Sequence, residues 1–200
     1  EEKERLMREV NHRVKNNLLM VNSLIQLKSS ELGPEVDLKD LLHRIDAIRI
    51  IHEKLYQSGS MTTIRIREYL EELLRTIFEL SGSIIAYESR LEALTMPTGI
   101  AVPLGLIVNE LATNTIKHGV VPGGTRFTLE LRREAHKGRA RLTAGNNGPP
   151  LPEETDSAQG LGLSLIRALT KQIDGTLHIE SAPHPRFQIE FPLTEKQTSE

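Results

Sequence analysis

The 200-residue sequence has no cysteine, no tryptophan, only 4% aromatic residues and a formal net charge of −2 at pH 7. Without cysteine there are no disulfides and no thiolate metal sites, which fits a reducing compartment and makes cytoplasmic the expected location. Scarce aromatics argue against the stacking platforms that hold single-stranded nucleic acid. The near-neutral balance supplies no basic field for nucleic acid and no acidic tail. No apolar run approaches the ~18–20 residues that cross a bilayer, so no membrane span is expected, and no signal peptide is visible. What is present, 38% hydrophobic residues, suffices to bury the core of one medium domain or two small ones. The opening run Glu1-Glu2-Lys3-Glu4-Arg5 is charged and uncapped. It is expected to be the middle of a helix that continues from a missing upstream sensor domain.

The first periodic segment carries Leu6, Val10, Val14, Leu18, Val21 and Ile25 at steps of three and four, one buried helical stripe. At ~100° per residue, His12 falls on the opposite, wet side, with Asn16 one turn on and Lys15 beside it. An exposed imidazole among cationic and amide groups suits an anionic guest such as a phosphoryl group. Taken alone it is more often a solvated surface histidine. Gly33-Pro34 breaks this helix, and a second follows with Leu38, Leu41, Ile45, Ile48 and Leu55 in a heptad-like seam. The two form an antiparallel hairpin over residues 1–59, whose stripes are covered by pairing with a second copy as a four-helix bundle.

Ser58-Gly59-Ser60 marks a boundary, after which strands and helices alternate. Strands are expected at 64–66, 84–87, 91–94, 126–133, 139–144, 176–180 and 186–191. Helices are expected through Tyr69–Leu80, from about Ile100 to Gly119 and from Leu161 to Ile173, with a turn at Asp174-Gly175. The fold class is therefore α+β: a helical hairpin followed by a layered α/β sandwich over 60–194, and a short tail at 195–200.

Three stretches of the second part carry chemistry. Glu110, Asn114 and Lys117 stand at i, i+4 and i+7 of one helix, a stripe of carboxylate, amide oxygen and ammonium that suits a hydrated magnesium ion against a polyphosphate. Gln159-Gly160-Leu161-Gly162 opens the next helix, where free backbone N–H groups and the helix dipole favour phosphate. Gly145-Asn146-Asn147-Gly148-Pro149-Pro150-Leu151-Pro152 is a stiff loop at a strand end. Each has a bland reading, a polar helix face or a flexible turn. Their order behind a histidine-bearing hairpin is far more specific than any one of them.

On these residues the sequence resembles the core of a sensor histidine kinase, over nearly its whole length. The type is the second histidine-kinase-A subfamily, related to the HWE kinases, whose His-Arg-Val-Lys-Asn-Asn signature stands at His12–Asn17. The resemblance implies a dimerisation and phosphotransfer hairpin followed by a GHKL-type (Bergerat) ATP-binding domain. It implies His12 as phospho-acceptor, Glu110 as a catalytic carboxylate and Asn16 as the orienter of a water for dephosphorylation. Asn114 would bind magnesium, and Asn109, Asn114, Lys117, His118, Asn146, Gly148, Gly160, Leu161 and Gly162 would surround ATP. Partners implied are a second copy, in a homodimer, and the receiver domain of a response regulator, whose aspartate takes the phosphoryl group.

The first glycine box of the family reads Asp-Asn-Gly-Pro-Gly-Leu-Pro, where the aspartate accepts a hydrogen bond from the adenine amine. Here Asn146 and Pro150 replace the aspartate and the second glycine. Asn146 keeps an acceptor but loses its charge, and charge-assisted bonds are roughly twice as strong. Pro150 fixes φ and removes an N–H. These departures leave open an alternative, a nucleotide-free histidine phosphotransfer or scaffold protein with a degenerate ATP-binding domain.

Overall fold

A computed structural model describes residues 62–80, 85–134, 138–151 and 161–193. The helical hairpin expected over 1–59 and the tail at 195–200 lie outside the described residues. The elements are β1 (Thr63–Arg65), α1 (Ile66–Leu80), β2 (Ile85–Leu91), β3 (Thr95–Pro97), α2 (Thr98–His118), β4 (Thr125–Arg133), β5 (Arg139–Asn146), α3 (Leu161–Gln172), β6 (Thr176–Glu180) and β7 (Arg186–Pro192).

Alternation in the strand sequences decides the layers. In β4, Phe127, Leu129 and Leu131 turn inward, while Arg126, Thr128 and Arg132 are exposed on the other face. The five-stranded sheet runs β2-β4-β5-β7-β6, with only β2 and β4 parallel. A parallel neighbour demands a long crossover, and β3 with α2 supplies it. One sheet face, carrying Phe127, Leu142, Phe187, Ile189 and Phe191, is covered by the helices. The other is charged and bears ion pairs such as Arg132–Glu130 at 3.0 Å and Arg141–Glu190 at 2.6 Å. The Glu190 carboxylate holds the Arg141 guanidinium proton more tightly than usual.

α1 buries Ile66, Tyr69, Leu70, Leu73, Leu74, Ile77 and Phe78 at helical spacing. Its Phe78 stacks on Tyr87 of β2 at 5.1 Å between ring centroids and meets Phe127 of β4 at 5.5 Å. Such ring pairs contribute about 0.5–1.5 kcal/mol each beyond the area they bury. β1 pairs with β3, and Thr62 O accepts the Thr98 N–H at 3.0 Å, so the first turn of α2 is anchored without a side-chain cap.

α2 is the central helix, packed against α1 on one side and α3 on the other. It is long and apolar enough to cross a membrane by length and composition, but 83% of that stretch is buried inside the protein, which makes it a core helix. Two expected strands are corrected. Residues 84–87 and 91–94 were expected as separate strands, but a single strand covers Ile85–Leu91, residues 92–94 connect, and β3 follows at Thr95–Pro97. β2 is an edge strand with Ala86, Tyr87 and Glu88 exposed, so it carries no apolar alternation by which to read its extent. The turn after α3 does fall at Asp174-Gly175. Asp174 itself takes the left-handed conformation at φ 52°, and Gly175 N–H reaches back to Thr170 O at 2.9 Å.

Candidate functional site

The polar end of α2 appears where the helix leaves the core. Through Ala112 it is packed nearly all round; beyond that, Asn114 is half-buried and Lys117 and His118 are exposed. Lys117 and His118 occupy the last turn, where positive charge complements the helix dipole. Glu110, one turn before Asn114, is buried at 5% exposure. Asn109 is more deeply buried, at 1%, and its Oδ1 has no hydrogen-bond partner among the described residues. It lies about 100° around the helix from Glu110 and so belongs to a neighbouring face. The hydroxyls of Thr113 and Thr115 donate back to the helix carbonyls of Asn109, at 2.7 Å, and Leu111, at 2.9 Å.

Two glycines let other segments close on this polar end. A Cβ on Gly162, in the first turn of α3, would lie 3.1 Å from Glu110 Oε2 and 3.6 Å from Asn114 Nδ2. The start of α3 is therefore laid against the carboxylate and the amide, and the backbone N–H groups of its first turn are those that a helix leaves unbonded. Leu161 begins α3, whereas Gly160 lies outside the described residues. A Cβ on Gly148 would lie 2.8 Å from Gly119 Cα, so the loop after β5 sits directly on the end of α2.

That loop is pinned by three side chains. Asn146 Oδ1 accepts from Gly148 N–H at 2.8 Å, and its Nδ2 donates to Thr115 Oγ1 at 3.1 Å. Asn147 Oδ1 accepts from Arg126 N–H at 2.7 Å while its Nδ2 donates to Gly124 O at 3.0 Å. His184, from the turn between β6 and β7, donates from Nδ1 to Gly148 O at 2.8 Å, a contact that fixes its proton on that nitrogen. Thr115, Asn147 and His184 are participants that sequence reasoning missed. Asn147, inside the glycine-rich loop, and Thr115, next to Asn114, stood near a recognisable signal; His184 did not.

Glu110, Asn114 and Gly162 are thus brought together, and Asn146 and Gly148 meet the C-terminal end of the same helix. His12 and Asn16 lie outside the described residues. A separate groove of about 510 Å³ crosses the charged face of the sheet, lined by Glu88, Arg90, Arg126, Glu130 and Arg186 among others. Of the expected site residues it includes only Asn146.

The donor set suits a nucleotide with magnesium. Among the described residues no three His, Cys, Asp or Glu side chains converge. Magnesium that accompanies a nucleotide takes one or two protein oxygens and shares the rest of its shell with phosphate and water. Asn114 would supply such an oxygen, and the close approach of Gly162, which a side chain would crowd, leaves backbone donors for phosphate.

Residues 9–81 match the family described as histidine kinase. Residues 99–195 match that of the histidine kinase-, DNA gyrase B- and HSP90-like ATPases. Blue-light-activated histidine kinase 2 of Erythrobacter litoralis is 26% identical over 207 residues, covering 98% of this chain and 60% of that protein. A sensor histidine kinase of Mycobacterium tuberculosis is 25% identical over 193 residues, covering 90% of this chain and 37% of that protein. The chain thus spans less than two thirds of the length of either relative. The solved histidine kinase domain of an Erythrobacter litoralis blue-light-activated kinase superimposes with a TM-score of 0.76 at 25% identity, over 92% of this chain and 89% of that one. The catalytic domain of histidine kinase ThkA, 20% identical, matches in fold with a TM-score of 0.56 over 68% of this chain and 98% of that one.

Proposed function

The chain belongs to the histidine kinases, and from that membership we propose that it is the core of a two-component sensor kinase, which phosphorylates itself on His12 from Mg-ATP. The observation that carries the reading is the convergence of Glu110, Asn114 and Gly162 at the polar end of α2.

In the proposed reaction the neutral His12 imidazole forms an N–P bond to the γ-phosphorus as the bond to the ADP oxygen breaks, in line. A magnesium ion held by Asn114 would supply neutralisation of the phosphate charge. Lys117 adds positive charge on the same side, and Glu110 is assigned to orient the imidazole or take its proton. Gly160, Leu161 and Gly162 present backbone N–H groups to the phosphates, while Asn109, His118, Asn146 and Gly148 complete the nucleotide surroundings. Arg13 and Lys15 steady the phosphohistidine, and the phosphoryl group then passes to an aspartate of a response-regulator receiver domain. Asn16 is assigned to orient a water for removing it again. The unit is proposed to act as a cytoplasmic homodimer, through the hairpin at residues 1–59, with a sensor domain upstream.

The test is incubation with γ-labelled ATP and magnesium. Acid-labile, base-stable label that disappears in both His12→Gln and Asn114→Ala supports the kinase. A folded chain that takes up no label refutes it and favours the second reading, a nucleotide-free phosphorelay or scaffold, for which Asn146 and Pro150 speak. Sedimentation as a monomer at micromolar concentration would remove the dimer.

A further inference from the structure

The amide of Asn146 is held in one orientation, and that orientation bears on which base the site accepts. Gly148 N–H can only donate, and it meets Oδ1 at 2.8 Å. Thr115 Oγ1 has given its own hydrogen to Leu111 O at 2.9 Å, so towards Asn146 it can only accept, and it meets Nδ2 at 3.1 Å. A turned amide would set NH₂ against N–H at one end and leave two acceptors facing each other at the other. Each half of the amide then keeps one unused valence: a lone pair on Oδ1 and one hydrogen on Nδ2. Asn146 is half-buried at the end of β5, beside the Gly119–Gly148 contact, and its two bonds fix the plane in which this remaining valence lies.

A carboxylate at this position would have acceptors only. It would attract a 6-amino group with charge assistance and repel the oxygen of a 6-oxo group. An asparagine weakens the first interaction and replaces the repulsion by an available donor. We propose that Asn146 relaxes base selection, so that nucleoside triphosphates with a 6-oxopurine base bind this site comparably to ATP. The inference rests on the nucleotide-binding reading above, in which residue 146 faces the base.

The probe is inosine triphosphate, which differs from ATP at the 6-position and the adjoining ring proton and lacks the bulk of a 2-amino group. Dissociation constants for ATP and ITP, with magnesium, are measured by competition against a fluorescent ATP analogue on the full chain and on Asn146→Asp, with melting curves to verify folding. The native chain is expected to bind ITP within tenfold of ATP, and Asn146→Asp to raise the preference for ATP at least tenfold further. A native preference for ATP above tenfold, or one equal to that of Asn146→Asp, overturns the proposal. So does nucleotide binding by Asn146→Asp with none by the native chain, because position 146 would then decide affinity and not selection. Absence of binding by both folded proteins refutes the nucleotide-binding reading itself, and the proposal with it. If Asn146→Asp does not fold, the native ratio decides alone.

Discussion

Replacing Gly148 by alanine measures how firmly the loop after β5 is seated on the end of α2. The new Cβ would stand 2.8 Å from Gly119 Cα, about 0.6 Å inside the 3.4 Å at which ordinary van der Waals contact begins. It would also stand 2.6 Å from Asn146 Oδ1. Neither backbone yields readily. Gly119 N–H is bonded to Thr115 O at 2.9 Å, and Asn147 ties the loop to Arg126 and Gly124. The loop must lift by several tenths of an ångström, which stretches two contacts of 2.8 Å, Gly148 N–H to Asn146 Oδ1 and His184 Nδ1–H to Gly148 O. Both then approach or pass ~3.2 Å, the long end of the N–H···O range. Overpacking costs about 1–3 kcal/mol, and each lost hydrogen bond about 0.5–1.5 kcal/mol. Giving up the bonds relieves the overlap, so the terms do not add, and the expected loss is about 1–3 kcal/mol. For a domain of this size that lowers Tm by very roughly 3–12 °C. With no tryptophan in the chain, the melt is followed by far-ultraviolet circular dichroism. The new Cβ also displaces the Asn146 side chain, so ATP affinity should fall at least tenfold in the same variant. An unchanged Tm together with unchanged ATP affinity would refute the reasoning, because it would mean that the loop gives way freely and does not shape the site.

Two further perturbations probe the helix pair that carries the site. A Cβ on Gly105 of α2 would run into the ring of Tyr69, which is itself only 1% exposed. Gly105→Ala gains about 1 kcal/mol of helix propensity but is expected to lose more to overpacking, for a net cost of about 1–2 kcal/mol in urea unfolding. The cost should vanish in a Tyr69→Leu background, and equal effects in the two backgrounds would show that the ring is not the obstacle. Burial also pushes the Tyr69 phenol well above its ordinary 10.0. The folded chain then keeps a proton that the unfolded chain releases above pH 10, so the associated stability is fully present below that pH. It is lost at up to about 1.4 kcal/mol per pH unit as pH rises through and beyond it. The stability difference between the native chain and Tyr69→Phe should therefore change with pH above 10; parallel curves would exclude the effect.

The helix that organises the domain was legible because its signals are local. Apolar residues run from Ile100 to Ala112, and Glu110, Asn114 and Lys117 follow helical spacing, so periodicity alone gave both the element and its polar stripe. The burial of Glu110 was not legible, since it depends on α3 folding across α2 at Gly162, 52 residues further along the chain. β2 was misjudged for the opposite reason. An edge strand with exposed Ala86, Tyr87 and Glu88 shows no apolar alternation of its own, so its length is set by pairing with β4 and not by its own pattern.

The residues missed around the β5 loop share one property: their roles reside in what they hold. Thr115 reaches Asn146 across 31 residues, and His184 reaches Gly148 across 36. Neither side chain is of a type or spacing that announces a ligand. Asn146 itself was visible as a departure from the aspartate of the family, and its composition alone implied a weaker acceptor. Which end of its amide faces which neighbour could not follow from composition. That depends on Thr115 having already given its hydrogen to Leu111 O, a bond internal to α2. The chemistry presented at position 146 is thus decided by Gly148 N–H at one end of the amide and, one residue beyond Asn114, by a helix hydroxyl at the other. A substitution that reads as the loss of a charge is, in the folded chain, also the gain of a directed donor.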